Sequence, residues 1–196
     1  VGALTEYSWR HPFLIDSLAI IPLVFMLFFL KEPAVSTVGI ETPEEKKSSM
    51  ADFTWRTYYY IFFQFIATAT LYPLLSGMTT YMADKGIGTA ALAGTILSSY
   101  TLSGMAISIF LSQILRLFKN KSLVFLSLLF AVGVSLVVLF PNIPMLFVGT
   151  ILAGAGFIGI VSVLQIYNGR TLPTDSVAFG STLILGMNQL AIFASN

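Results

Sequence analysis

Few side chains in this sequence are equipped for chemistry, and they lie far apart. Asp16 is the only carboxylate inside an otherwise apolar run. A carboxyl group in such surroundings can take up and release a proton, which is the chemistry of ion coupling. It sits one turn from Arg10-His11-Pro12, so partnering a helix start or pairing with Arg10 is the competing structural role. Gln64, Thr68 and Tyr72 recur every four residues, which on a helix sets an amide, a hydroxyl and a phenol on one slowly drifting face. That face offers donors and acceptors to an uncharged solute. The same groups also serve to bond one helix to another. Gln64 is the leading candidate for a substrate contact, with Tyr100, Asn188 and Gln165 as further candidates of the same kind. His11 is the only histidine and cysteine is absent. No thiolate nucleophile, no metal site and no cofactor are therefore expected. The cluster of acids and nucleophiles that a membrane enzyme would need is missing as well.

Two motif matches fail on their context. The segment GAGFIG (154–159) satisfies Gly-x-Gly-x-x-Gly, and Asp175 follows at the distance of a ribose-binding acid. That fingerprint works between a strand and a helix start in a soluble fold, whereas here apolar residues continue on both sides. Close helix packing is the better reading of these glycines. Asn120-Lys-Ser122 spells a glycosylation acceptor, but it falls in a connection assigned below to the cytoplasmic face.

The elements that position these residues are read from composition. Of 196 residues 56% are hydrophobic and 10% charged, and the mean hydropathy is +0.86. Soluble domains carry about 25% charged residues, so this is a membrane chain. A net charge of +1 gives no reason to expect nucleic acid. Crossing a bilayer core of about 30 Å takes roughly 20 apolar residues of helix. Six runs qualify: 13–30, 58–82, 92–115, 122–140, 145–167 and 177–196. With no water to satisfy a free backbone, each must be helical. Segment 31–57 carries nine of the nineteen acidic and basic residues and reads as a polar linker. The expected organisation is an outer loop and first span over 1–30, that linker, and a bundle over 58–196 whose last span is incomplete.

The cations orient the chain. Alternate connections place Lys31, Lys46, Lys47, Arg56, Arg116, Lys119, Lys121 and Arg170 on one face, and Arg10 and Lys85 on the other. Eight against two marks 31–57 and 116–121 as cytoplasmic. Val1 then starts outside with no signal segment, and Asn196 closes the chain within an apolar run. A piece of a longer protein, with an odd number of spans upstream, is expected.

The runs also differ in kind. Those at 13–30 and 122–140 are nearly all aliphatic and aromatic, while the other four carry polar and small residues at depth. The order is lipid-facing, polar, polar, given twice. With this pattern go the opening VGALTEYSWRHPFLI (1–15), the charged linker, YMADKGIGTAALAG (81–94) and the glycines of 149–159. Together they resemble the C-terminal half of a major facilitator superfamily transporter, from its sixth to its eleventh helix. LRLFKNK (115–121) resembles the second copy of that family's cytoplasmic loop motif, with Arg116, Lys119 and Lys121 as its cations, Leu115 at the acid's place and Phe118 at the glycine's. Val1-Gly-Ala-Leu4 is similar to the tail of the fifth-helix motif of drug–proton antiporters.

The resemblance implies an all-α membrane fold, half of a twelve-helix bundle, in which the sixth and ninth helices are peripheral and the seventh, eighth, tenth and eleventh wall a solute path. It implies no enzyme and no cofactor. It points to a secondary transporter working by alternating access in the cell membrane, with efflux of an apolar or drug-like compound by proton antiport. Its expected partners are the bilayer, a small-molecule substrate and an N-terminal half. An uptake permease, or a half-size module that dimerises as a scaffold, is the alternative.

Overall fold

A computed structural model describes residues 53–195. The expected first span, most of the linker, Asp16 and His11 lie outside the described residues. Five helices follow one another: α1 (Trp55–Asp84), α2 (Ala90–Phe118), α3 (Ser122–Leu139), α4 (Ile143–Thr171) and α5 (Thr174–Ala194). A single 3-10 turn, Lys119–Lys121, joins α2 to α3, and among the described residues there is no strand. All five helices are long and apolar enough to cross a membrane. At 1.5 Å per residue the 29- and 30-residue helices α1, α2 and α4 reach about 45 Å, beyond the hydrocarbon layer. Their ends therefore carry the polar residues.

Local chemistry sets the helix ends. Gly86, at φ +64, turns the chain after α1 in a backbone region that only glycine enters freely. Thr89 caps α2, its hydroxyl accepting from the Leu92 amide at 3.3 Å. Asn142 caps α4 by accepting from the Met145 amide at 3.0 Å, with Pro144 in the first turn. Both are side-chain oxygens satisfying orphan amides. Pro73 deletes one backbone donor inside α1, yet the helix continues through it.

The core is organised around α4, which packs on α2 and α3, while α1 packs chiefly on α5. The helix α3 buries one stripe, Ser122, Leu126, Phe130, Gly133 and Val137, at the three- and four-residue spacing of a single helical face. Its other faces expose Val124, Leu128, Val132 and Val138.

Glycine brings the backbones of these three helices together. A Cβ on Gly133 would stand 2.3 Å from the Ala153 amide nitrogen, and one on Gly154 would stand 2.3 Å from the Tyr100 carbonyl oxygen. The Gly-x-Gly-x-x-Gly segment is thus the middle of a transmembrane helix in backbone contact with its neighbours on both sides. The small residues of α2 behave differently. Gly104 is buried against Ile158, but Ser98, Ser108 and Ser112 are exposed. Ser98 and Ser108 donate to the carbonyls of Gly94 and Gly104, at 2.8 and 2.9 Å. A hydroxyl that bonds one turn back satisfies itself without a neighbouring helix, so most of this stripe faces outward.

Candidate functional site

The amide and hydroxyl face of α1 meets α5. Gln64 and Thr68, 1% and 3% exposed, point into the seam between these two helices, and Asn188 reaches them from α5. The Gln64 Nε2 group donates to Thr68 Oγ1 at 3.1 Å and to Asn188 Oδ1 at 3.2 Å. Thr68 Oγ1 donates to the same Asn188 oxygen at 2.5 Å. The four-residue spacing makes the first of these bonds local to α1. The other two tie residues 120 and more positions apart. Both amide hydrogens of Gln64 are thereby used, and its Oε1 is left buried with no partner among the described residues.

An unpaired acceptor in a dry seam is costly, about 1–3 kcal/mol, because it has lost water and gained nothing. Asn188 is only partly buried, so the cluster lies at the margin of the bundle rather than in its centre. Its one unbonded oxygen, Gln64 Oε1, is itself buried, so a donor reaches it only where α1 and α5 part.

The other residues singled out from the sequence are placed elsewhere. Tyr72, two turns along α1 from Gln64, is partly buried and outside the cluster of hydrogen bonds. Tyr100 is on α2, where its ring packs against the shared core and its carbonyl accepts from Ser103 Oγ at 2.8 Å. Gln165 is partly buried on α4. Arg116, in the last turn of α2, complements that helix's carbonyl end. Lys119 takes φ +46 at the turn into α3, and Arg116, Lys119 and Lys121 are all exposed.

Sequence reasoning missed two polar sites. Asn168, in the last turn of α4, is fully buried. Its Nδ2 donates to Ser181 Oγ at 3.2 Å and to the Val177 carbonyl at 3.4 Å, tying α4 to α5. A Cβ on Gly180 would meet the Asn168 amide at 2.9–3.0 Å, so the glycine leaves room for it. Tyr167 sits with its hydroxyl 2.9 Å from Ser122 Oγ and 3.2 Å from the Lys119 carbonyl, holding the α2–α3 turn against α4. Asn168 lies just past the apolar run 145–167, so hydropathy places it in a loop, and Tyr167 closes that run with nothing in the sequence to mark its partners.

The helix lengths, the glycine-packed trio and an uncharged polar seam together describe a bundle built to stand in lipid. Comparison with family models gives a match to the Major Facilitator Superfamily over residues 1–196. The chain belongs to the Major Facilitator Superfamily. No curated protein and no solved structure matches it. As a member of this transporter family it is an all-α, multi-pass membrane protein whose surroundings are a bilayer and a transported small molecule. The superfamily is generally non-enzymatic. Among the described residues no group of His, Asp or Glu is disposed to hold a metal.

Proposed function

We propose that the chain is part of a secondary transporter moving a small, uncharged or weakly polar molecule by alternating access, with Gln64, Thr68 and Asn188 contacting the solute. The observation that carries this reading is the unpaired Gln64 Oε1 beside a partly exposed Asn188. A hydroxyl or amine on the solute supplies the missing donor, and gains most where water is excluded. No carboxylate or cation lies within the described spans between their ends, which favours neutral over ionic cargo. Tyr72 and Tyr100 extend the lining as aromatic surfaces on α1 and α2. Efflux coupled to protons is the fuller form of the proposal, and Asp16 is the carboxylate the sequence offers for the coupling. The cell membrane, with the basic helix ends inside, is the proposed location, and an N-terminal half of the same transporter is the proposed second wall of the path.

The test is uptake into proteoliposomes by the complete transporter, with and without a pH gradient. Gln64→Ala is expected to raise transport KM about two- to tenfold, the range of one hydrogen bond of 0.5–1.5 kcal/mol, at unchanged expression. An unaltered KM and an unaltered order of preference across several solutes removes Gln64 from the path.

A further inference from the structure

The bundle has a second polar feature, at the end opposite Asp84 and Lys85. Two adjoining depressions open there and share Tyr167 and Arg170. One, of about 550 Å³, is lined by Ser112, Leu115, Arg116, Lys119, Tyr167 and Arg170. The other, of about 400 Å³, is lined by Arg56, Tyr60, Tyr167, Arg170 and Thr171. Four cations contributed by α1, α2, α4 and the α2–α3 turn thus border one basic hollow of two compartments, with Tyr167 and Arg170 in the lining of both. The described residues contain just two carboxylates, Asp84 at the far end of α1 and Asp175 at the start of α5, and neither lines it.

Like charges gathered round a concave surface raise the local potential and call for a counter-ion. The hollow is also structured. The Tyr167 hydroxyl is fixed by Ser122 and the Lys119 carbonyl, so the wall between the two depressions keeps its place. From Arg116 to Ser112 the lining climbs four residues of α2, about 6 Å at 1.5 Å per residue, and passes Leu115 on the way. Cations at the mouth with an aliphatic residue above them match a phosphate attached to a hydrocarbon. Arginine forks pair with phosphate oxygens two at a time, and basic hollows between transmembrane helices are where anionic headgroups lodge.

We infer that the hollow bounded by Arg56, Arg116, Lys119 and Arg170 binds a phosphate monoanion or diester, supplied by the headgroup of an anionic phospholipid in the adjacent leaflet or by a soluble phosphate. The site is separate from the Gln64 cluster and its test does not depend on transport.

The experiment uses the complete protein in nanodiscs of phosphatidylcholine with or without phosphatidylglycerol, and in detergent with inorganic phosphate or glycerol phosphate. Bound lipid is counted by native mass spectrometry and stability is read as thermal midpoint. Wild type is expected to retain phosphatidylglycerol in preference to phosphatidylcholine and to gain several degrees from it. The Arg116→Gln/Arg170→Gln variant loses both effects. These side chains are exposed, so the variant is expected to fold, and Lys119→Gln supplies an intermediate loss as a second check. A gain from phosphatidylglycerol that the soluble phosphates do not reproduce identifies a lipid, and an equal gain from glycerol phosphate identifies a soluble anion. Equal retention of both lipids by wild type, or a preference that survives in the double variant, overturns the site.

Discussion

The α2–α3–α4 trio and the α1–α5 pair solve the same problem, holding helices together in lipid, by opposite means. In the trio, glycines at 133, 149, 154 and 156 bring backbones into contact, and Leu126, Phe130 and Phe157 fill what remains. In the pair, two amides and a hydroxyl span the seam and leave one acceptor unused. A backbone contact tolerates no added atom and offers a solute nothing. A side-chain cluster can exchange one of its bonds for a bond to cargo. The glycine-packed contact and the polar seam are therefore distinguished by which atoms meet.

The strongest way to break this contrast is to enlarge the trio's glycines. Gly154→Val places a branched side chain against the Tyr100 carbonyl and Ser103 Oγ, 2.3 and 2.4 Å from where its Cβ would lie. Since one of these neighbours is backbone, the loss should reach or exceed the 1–3 kcal/mol of ordinary overpacking. The expected result is an aggregated peak in detergent size-exclusion chromatography, and a monodisperse protein with an unshifted thermal midpoint contradicts the packing.

The pair should respond more gently. A double-mutant cycle of Gln64→Ala with Asn188→Ala is expected to show coupling near the 0.6 kcal/mol average of hydrogen bonds within membranes. Additive unfolding energies in a reversible denaturant titration would mean that the two amides do not bond in the working protein. The smallest effect belongs to the self-satisfied hydroxyls. Ser108→Ala removes a group already bonded to Gly104, and stability and transport should both stay within about 0.5 kcal/mol of wild type.

These differences set what was legible beforehand. Membrane helices follow from uninterrupted apolar residues, because lipid admits no other backbone solution. The bond of Gln64 to Thr68 follows from a spacing of four. Asn188 as their partner does not, for its approach depends on how α5 docks on α1, and no local pattern encodes that. The hydroxyls of α2 divide in a way that spacing does not show: Ser98 and Ser108 donate to their own helix, whereas Ser99 Oγ lies 3.1 Å from Thr150 Oγ1 on α4. Asn168 escaped notice because the hydropathy run ends at 167 while α4 continues to Thr171, and the partners of Tyr167 because they depend on how the α2–α3 turn docks on α4.

Among the described helices α3 is the shortest. At 18 residues α3 spans about 27 Å, slightly less than a typical hydrocarbon layer of about 30 Å, while its neighbours overshoot it. Tilting shortens a helix's reach further, so the bilayer beside α3 must thin to meet it. Lengthening the acyl chains of the host membrane should therefore load strain onto this one flank, making the protein responsive to membrane thickness through its shortest described helix.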